Sequence, residues 1–175
     1  MPRNLSATLM AFLAATVQCD SASVVSGPSD HRGAARAYVM NGVIPGPGLE
    51  RIADRLRARG IIVQFGSFLQ ANAFEKDACA HRESHIIVIG HSAGALAAAS
   101  VANAAHSCGV RNVTMVGIDP PALGAKVAGV HAVNFVGSFN GQIEGARNIP
   151  TPGYGHMAIL ESPAVQAHVL SAAVQ

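Results

Sequence analysis

The hydrophobic positions of this chain cluster in five short runs, each bounded by glycine, proline or polar residues. Runs of this length are typical of strands buried inside a sheet. The predicted strands span residues 35–40, 61–65, 86–89, 112–118 and 131–136. Segments with other spacing separate them, so the chain alternates strand and helix. This alternation predicts an α/β fold, with a parallel sheet covered by helices on both faces.

The helical segments are marked by the spacing of their apolar residues. Over residues 49–59 the apolar positions recur at helical intervals opposite a charged face, and Gly60 follows where a helix commonly ends. A second helix is predicted over residues 70–82, and a third is predicted from the small residues that follow Ser92. A closing helix is expected from Pro163, because proline suits the first helical turn.

One junction between a strand and a helix carries a sharp turn flanked by glycines. The buried run 86–89 is followed by Gly90-His91-Ser92-Ala93-Gly94 and then by an alanine-rich segment. In such a turn the backbone of the central residue is strained, and its neighbours must lack bulk. The G-x-S-x-G spacing therefore predicts that Ser92 projects its hydroxyl outward as a nucleophile.

Other chemically useful residues also follow strands. Asn41, Asp119 and Asn140 come directly after predicted strands, and the carboxyl ends of parallel strands share one edge of a sheet. A serine hydroxyl needs a base within hydrogen-bond reach and a third group that orients the base. We expect His156, in a glycine-rich loop before the last helix, to be the base. Asp119 is the expected acid, in the chain order serine, acid, histidine.

The acid is the open assignment among these residues. Asp119 precedes two prolines and could simply cap their turn, and Glu144 is the nearest acid after the following strand. His91 is expected to pack inside the turn rather than act as the base. His81 and His85 would suit metal ligands only on a continuous helix, which should end between them, so no metal site is predicted.

Acyl transfer also requires hydrogen-bond donors for the oxygen that becomes negative. The backbone amide of Ala93, directly after the nucleophile, is the first expected donor. The second should come from the loop after the first strand, where Asn41-Gly42 precedes Val43. The predicted oxyanion hole therefore consists of the amides of Val43 and Ala93, with Ile44 as a neighbour and the Asn41 side chain orienting the loop.

Together these residues resemble the α/β-hydrolase superfamily over roughly residues 36–174. The turn around Ser92 looks like its nucleophile elbow, Asn41-Gly42 resembles its oxyanion loop with asparagine in place of histidine, and Gly155-His156 looks like its late histidine loop. The resemblance implies a minimal, lid-less, cutinase-like fold with about five parallel strands. It further implies a serine esterase, lipase or thioesterase that uses no cofactor.

The chain departs from the superfamily pattern in its size. The predicted elements lack the first two strands and the last strand of that pattern, and no segment is long enough for a lid domain. An acid after the last strand is also absent, which bears on the assignment of Asp119. Two further functions stay open, namely an acyltransferase that uses the same serine and a non-catalytic binding module on the same scaffold.

Composition narrows the class of protein. The chain has 175 residues, of which 50% are hydrophobic and 13% charged, which suits one domain with a single core. The formal charge of +2 comes from scattered basic residues rather than a basic stripe, so no nucleic-acid partner is predicted. The expected partner is a small-molecule or lipid-like ester, and no stable membrane span is expected.

The N-terminal region reads as a separate segment. Arg3 precedes a charge-free apolar run over residues 5–17, and small residues follow Cys19. This pattern predicts a signal peptide over residues 1–23, a linker over 24–35 and the folded domain over 36–175. The apolar run is short for a transmembrane helix, which needs ~20 residues. Export to the periplasm or the exterior is expected, and an ordinary N-terminal helix is the alternative.

Two cysteines remain after the predicted leader, Cys79 and Cys108. In an exported protein an even pair is compatible with one disulfide, because the compartment is oxidising. Two small buried thiols are the alternative.

Overall fold

A computed structural model describes residues 33–173. The predicted leader and most of the predicted linker lie outside the described residues. The first strand begins at Gly33, three residues before the predicted start of the domain at residue 36. The strands are β1 (Gly33–Asn41), β2 (Ile62–Ser67), β3 (Ser84–His91), β4 (Val113–Ile118), β5 (Ala125–Lys126), β6 (His131–Val136), β7 (Ile143–Glu144) and β8 (Arg147–Pro150). The α-helices are α1 (Pro47–Arg57), α2 (Ala71–Ala80), α3 (Ala93–Ser107) and α4 (Pro163–Ala172).

The main sheet has six strands in the order β2-β1-β3-β4-β6-β8, and every pairing between neighbours is parallel. The α/β fold with a parallel sheet is confirmed, and the sheet has one strand more than the approximate number of five that was expected. The missed strand is β8, whose sequence Arg-Asn-Ile-Pro has no apolar run. Its place at the edge of the sheet explains this composition, because Pro150 cannot donate to a ladder and is tolerated there. The short strands β5 and β7 pair separately.

Helices cover both faces of the sheet, and the alternation of side chains along the strands supplies both cores. On β3, Ile87 and Ile89 face the layer formed by α1 and α4, while Ile86 and Val88 face the layer formed by α2 and α3. The second layer lies close to the sheet because α3 presents buried alanines. These are Ala95, Ala98, Ala99, Ala102 and Ala105. Burial on both faces fixes the strands that carry the site.

Within residues 33–173, no helix combines the length and the hydrophobicity that crossing a membrane would require.

Cys79, near the end of α2, and Cys108, which caps α3, form a disulfide with their Cα atoms 5.7 Å apart. The pairing that the sequence left open is therefore present. It ties together the ends of two helices on the same face of the sheet.

Removal of this disulfide should lower the free energy of unfolding. The two cysteines are 29 residues apart in sequence. Without the cross-link the unfolded chain gains conformational entropy, which should lower the free energy of unfolding by about 3–4 kcal/mol. Urea unfolding followed by circular dichroism should show this difference between the wild type and a Cys79→Ala/Cys108→Ala variant. Reductant should lower the unfolding midpoint of the wild type and leave that of the variant unchanged. Equal unfolding midpoints for the oxidised wild type and the variant would contradict the expectation.

Candidate active site

Ser92 lies at the junction of β3 and α3 in a strained backbone conformation, with φ of 60° and ψ of −130°. Residues other than glycine rarely adopt this region, and it costs roughly 1–3 kcal/mol. The two flanking glycines make the turn possible. A Cβ atom on Gly90 would collide with the carbonyl of Gly94, and one on Gly94 would collide with the Met40 carbonyl of β1. The Ser92 hydroxyl caps no amide of α3, so it stays free for chemistry.

Asp119, at the end of β4, is fully buried and contacts His156 directly. Its Oδ2 accepts a hydrogen bond from Nδ1 of His156 at 2.8 Å. Its Oδ1 accepts from the backbone amides of Gly137 at 3.0 Å and Phe139 at 2.9 Å. The hydroxyl of Ser138 donates to Oδ2 at 3.3 Å. A buried carboxylate needs such partners, because an unpaired charge in the interior is costly.

This hydrogen bond defines the tautomer of His156. A carboxylate oxygen can only accept, so Nδ1 of His156 carries the proton. In the neutral imidazole the other nitrogen, Nε2, is then an acceptor that can take a proton from a nucleophile. The ring is largely enclosed, with 19% of its side chain exposed, and Phe139 stacks on it with ring centroids 3.7 Å apart. Contact with Phe139 therefore restricts the orientation of the imidazole.

His91, the neighbour of Ser92, packs inside the turn as expected but also contacts the loop that carries His156. Its ring is completely buried, and its Nε2 donates to the backbone carbonyl of His156 at 2.9 Å. The two imidazole centroids are 4.4 Å apart. His91 thus positions the backbone of His156. The sequence carried no signal for this contact, because 65 residues separate the two histidines.

Burial lowers the pKa of His91, and the nearby His156 lowers it further, while its hydrogen bond to the His156 carbonyl and the charge of Asp119 act in the opposite direction. Desolvation is the largest of these effects because it disfavours the charged imidazolium. The buried imidazole is therefore neutral near pH 7, with its proton on Nε2.

The loop after β1 lies directly against the nucleophile. A Cβ atom on Gly42 would lie 2.7 Å from Cβ of Ser92 and 3.1 Å from the amide nitrogen of Ala93. The buried Asn41 accepts from the amide of Gly46 at 3.4 Å through its Oδ1, so its side chain orders this loop. The backbone that carries the predicted oxyanion donors is thus next to Ser92, and Val43 is exposed beside it.

The remaining candidates lie elsewhere. Glu144 belongs to β7, is exposed, and pairs with Lys126 at 2.8 Å, whereas Asp119 holds His156. His81 contacts Asp77, and His85 contacts Thr114 on β4 at 3.0 Å. Residues 33–173 contain no group of three or more histidine, cysteine or acidic residues that could hold a metal ion.

Phe139 and Ser138 are site residues that sequence reasoning missed. They belong to the segment after β6, where Asn140 indicated a convergent loop. Asn140 itself forms an isolated bridge with Pro121. The topology pointed to the correct loop. Which of its residues face the acid depends on the path of the loop.

No family model and no curated protein matches this chain. Among solved structures, the chain is similar to a protein from Xanthomonas campestris pv. campestris, described as a candidate hydrolase of the alpha/beta superfamily. The TM-score is 0.54 at 16% sequence identity, over 80% of this chain and 94% of that one. The chain therefore has the α/β-hydrolase fold, as its sequence motifs indicated. The cutinase-like detail stays a prediction.

Because His91 is buried in its neutral form, the free energy of unfolding should depend on pH. An unfolded histidine protonates near pH 6.5, whereas His91 in the fold has a lowered pKa, so the unfolded chain binds more protons in acid. This contribution is complete above about pH 6.5 and is lost as the pH falls toward the lowered pKa. Urea unfolding at pH 7.5 and at pH 5 should show a smaller change in His91→Phe than in the wild type.

A matched control is His106→Gln, because His106 lies exposed on α3. It should keep the wild-type pH profile. Burial also lowers the pKa values of His85 and His168. These two histidines should therefore leave some dependence of stability on pH in every variant. Identical pH slopes in the wild type and His91→Phe would show that His91 makes no such contribution.

Proposed function

We propose that this protein is a serine hydrolase that cleaves a carboxylic ester or thioester through an acyl-enzyme. The observation that carries the proposal is the 2.8 Å hydrogen bond from His156 to the buried Asp119, at the same sheet edge as the strained Ser92. The likeness to a structure described as a candidate hydrolase supports the broader class. The ester specificity rests on the residues themselves.

In the first half of the proposed reaction, Oγ of Ser92 attacks the substrate carbonyl carbon. Its proton passes to Nε2 of His156, and Asp119 stabilises the imidazolium through the Nδ1 hydrogen bond. The carbonyl oxygen becomes negative and accepts hydrogen bonds from the amides of Ala93 and Val43. The bond to the alcohol or thiol then breaks, and His156 returns its proton to that leaving group.

In the second half, water replaces the leaving group. His156 takes a proton from the water as it attacks the acyl-enzyme carbonyl, and the bond to Oγ of Ser92 then breaks. His156 returns the proton to Ser92, and the carboxylic acid is released. An acyltransferase would follow the same path with an alcohol or thiol acceptor in place of water.

We also propose that the protein acts outside the cytoplasm. The disulfide between Cys79 and Cys108 supports an oxidising compartment. The signal-peptide pattern over residues 1–23 supports the same location.

A fluorophosphonate probe should label the wild type at Ser92 and leave Ser92→Ala unlabelled. Asp119→Asn should lower kcat for p-nitrophenyl esters by roughly 10³–10⁴-fold, because the imidazole loses its orientation and its counter-charge. Glu144→Gln is the matched control and should keep wild-type rates. Full esterase activity in Ser92→Ala would exclude the proposed mechanism, and an unlabelled wild type would favour a non-catalytic binding module.

Gly42→Ala should lower kcat by roughly 10²–10³-fold, the usual effect of losing one oxyanion donor. The added methyl would lie 2.7 Å from Cβ of Ser92, so the loop that carries Val43 must move away. Gly155→Ala is a control from the histidine loop, since no atom beyond its two chain neighbours lies within 4 Å of the methyl it would add. Steady-state kinetics and thermal unfolding should be compared, and wild-type kcat in Gly42→Ala would place the oxyanion hole elsewhere.

A further inference from the structure

The exposed large apolar side chains of this protein concentrate at one edge of the sheet. Within residues 33–173 there are seven, and six lie in loops that follow the carboxyl ends of strands or in the loop of His156. We call these six residues the apolar collar. They are Val43, Ile44, Leu69, Leu123, Phe139 and Met157. The seventh, Ile62, opens β2 at the opposite edge.

The collar is continuous with the candidate site. Val43 follows Gly42, which lies against Ser92, and Phe139 stacks on His156. The methyl end of the Met157 side chain lies beside Gly46 in the loop after β1. Apolar side chains therefore lie both beside the loop that contacts Ser92 and against the imidazole of His156.

Two further collar residues come from neighbouring loops. The loop of Leu123 joins the loop of Phe139 through the bridge between Pro121 and Asn140. Leu69, which is 79% exposed, follows β2 at the far side of the loop after β1. The collar thus contains residues from the segments that follow four of the six strands and from the loop of His156.

The loops of this edge also carry very little charge. Apart from His156 and Tyr154, their ionisable residues are Asp119, which is buried, and Glu161, which pairs with Arg51. These loops, counted with the short 3₁₀ helices Phe68–Gln70 and Ala158–Glu161 that belong to them, span residues 42–46, 68–70, 119–124, 137–142 and 151–162. These segments contain no lysine or arginine, and Arg36 on β1 and Arg147 on β8 lie near the amino ends of their strands. Contact with an anionic surface would gain nothing from this edge, whereas contact with an uncharged apolar surface would remove the collar from water.

We propose that the apolar collar seats the protein on an uncharged lipid surface, so that its substrate is an ester presented at that surface. The inference rests on the proposed hydrolase function and names the substrate of the same site. A lipid is favoured over a second copy of the chain, because a copy bound to the collar would cover Ser92.

Binding can be measured without turnover by using Ser92→Ala and vesicles of zwitterionic phosphatidylcholine. In co-sedimentation, the protein should bind these vesicles equally well or better in about 1 M NaCl than in about 0.1 M, because salt does not screen apolar contacts. Absence of binding would overturn the proposal. Binding that requires anionic phosphatidylglycerol and disappears at high salt would also overturn it.

The collar itself is tested by Leu69→Ser/Leu123→Ser, which changes two exposed residues outside the proposed catalytic machinery. Added to Ser92→Ala, this double change should weaken vesicle binding at least about tenfold. In the active enzyme, it should leave hydrolysis of the soluble ester p-nitrophenyl acetate within about twofold of the wild type. Ile62→Ser at the opposite edge is the matched control and should alter neither measurement. Unchanged vesicle binding in the double variant, or loss of its soluble esterase activity, would overturn the proposal.

Two outcomes separate this inference from the proposed function. Fluorophosphonate labelling at Ser92 without vesicle binding would overturn the role of the collar and leave the hydrolase intact. Vesicle binding without labelling would overturn the hydrolase and, with it, the assignment of a surface ester. Light scattering that detects a dimer dissociated by Leu69→Ser/Leu123→Ser would show that the collar is an interface between copies.

Discussion

The candidate site depends on the burial of one carboxylate, Asp119. A charge removed from water at the end of β4 destabilises the fold unless it is compensated by hydrogen bonds. Its partners come from two loops far apart in sequence, with amides of Gly137 and Phe139 on one side and the imidazole of His156 on the other. The same hydrogen bonds that satisfy the charge therefore fix both loops over the sheet edge and orient the imidazole.

The strain at Ser92 is supported in a comparable way by the surrounding fold. An unfavourable backbone conformation persists only where neighbouring structure holds it in place. Here β3 is buried on both faces, and the alanine-rich face of α3 brings that helix close to the sheet. Gly94 packs directly on the carbonyl of Met40 in β1. The core thus maintains a conformation in which the hydroxyl makes no capping hydrogen bond to the helix it precedes.

At the carboxyl edge of the sheet, the polar side chains of the candidate site are buried, whereas the apolar side chains around them are exposed. The polar groups of the candidate site are enclosed, as with the hydrogen-bonded Asp119 and the neutral His91, whose Nε2 donates to the His156 carbonyl. The apolar side chains around them stay in water, although hydrophobic burial usually favours the reverse. Such an arrangement suits a site whose last contacts are supplied by an apolar substrate surface rather than by the protein.

The amino-acid sequence by itself determined the alternation of strands and helices and the sharp turn at Ser92, because these are local patterns with short periods. It did not determine β8, whose sequence lacks an apolar run, since an edge strand needs little burial. It favoured Asp119 over Glu144, but it did not show the contact between Asp119 and His156, pair Cys79 with Cys108, or place His91 against the His156 carbonyl. Those contacts join residues that are distant along the chain, so they depend on how the loops fold back over the sheet, and only the tertiary structure decided them.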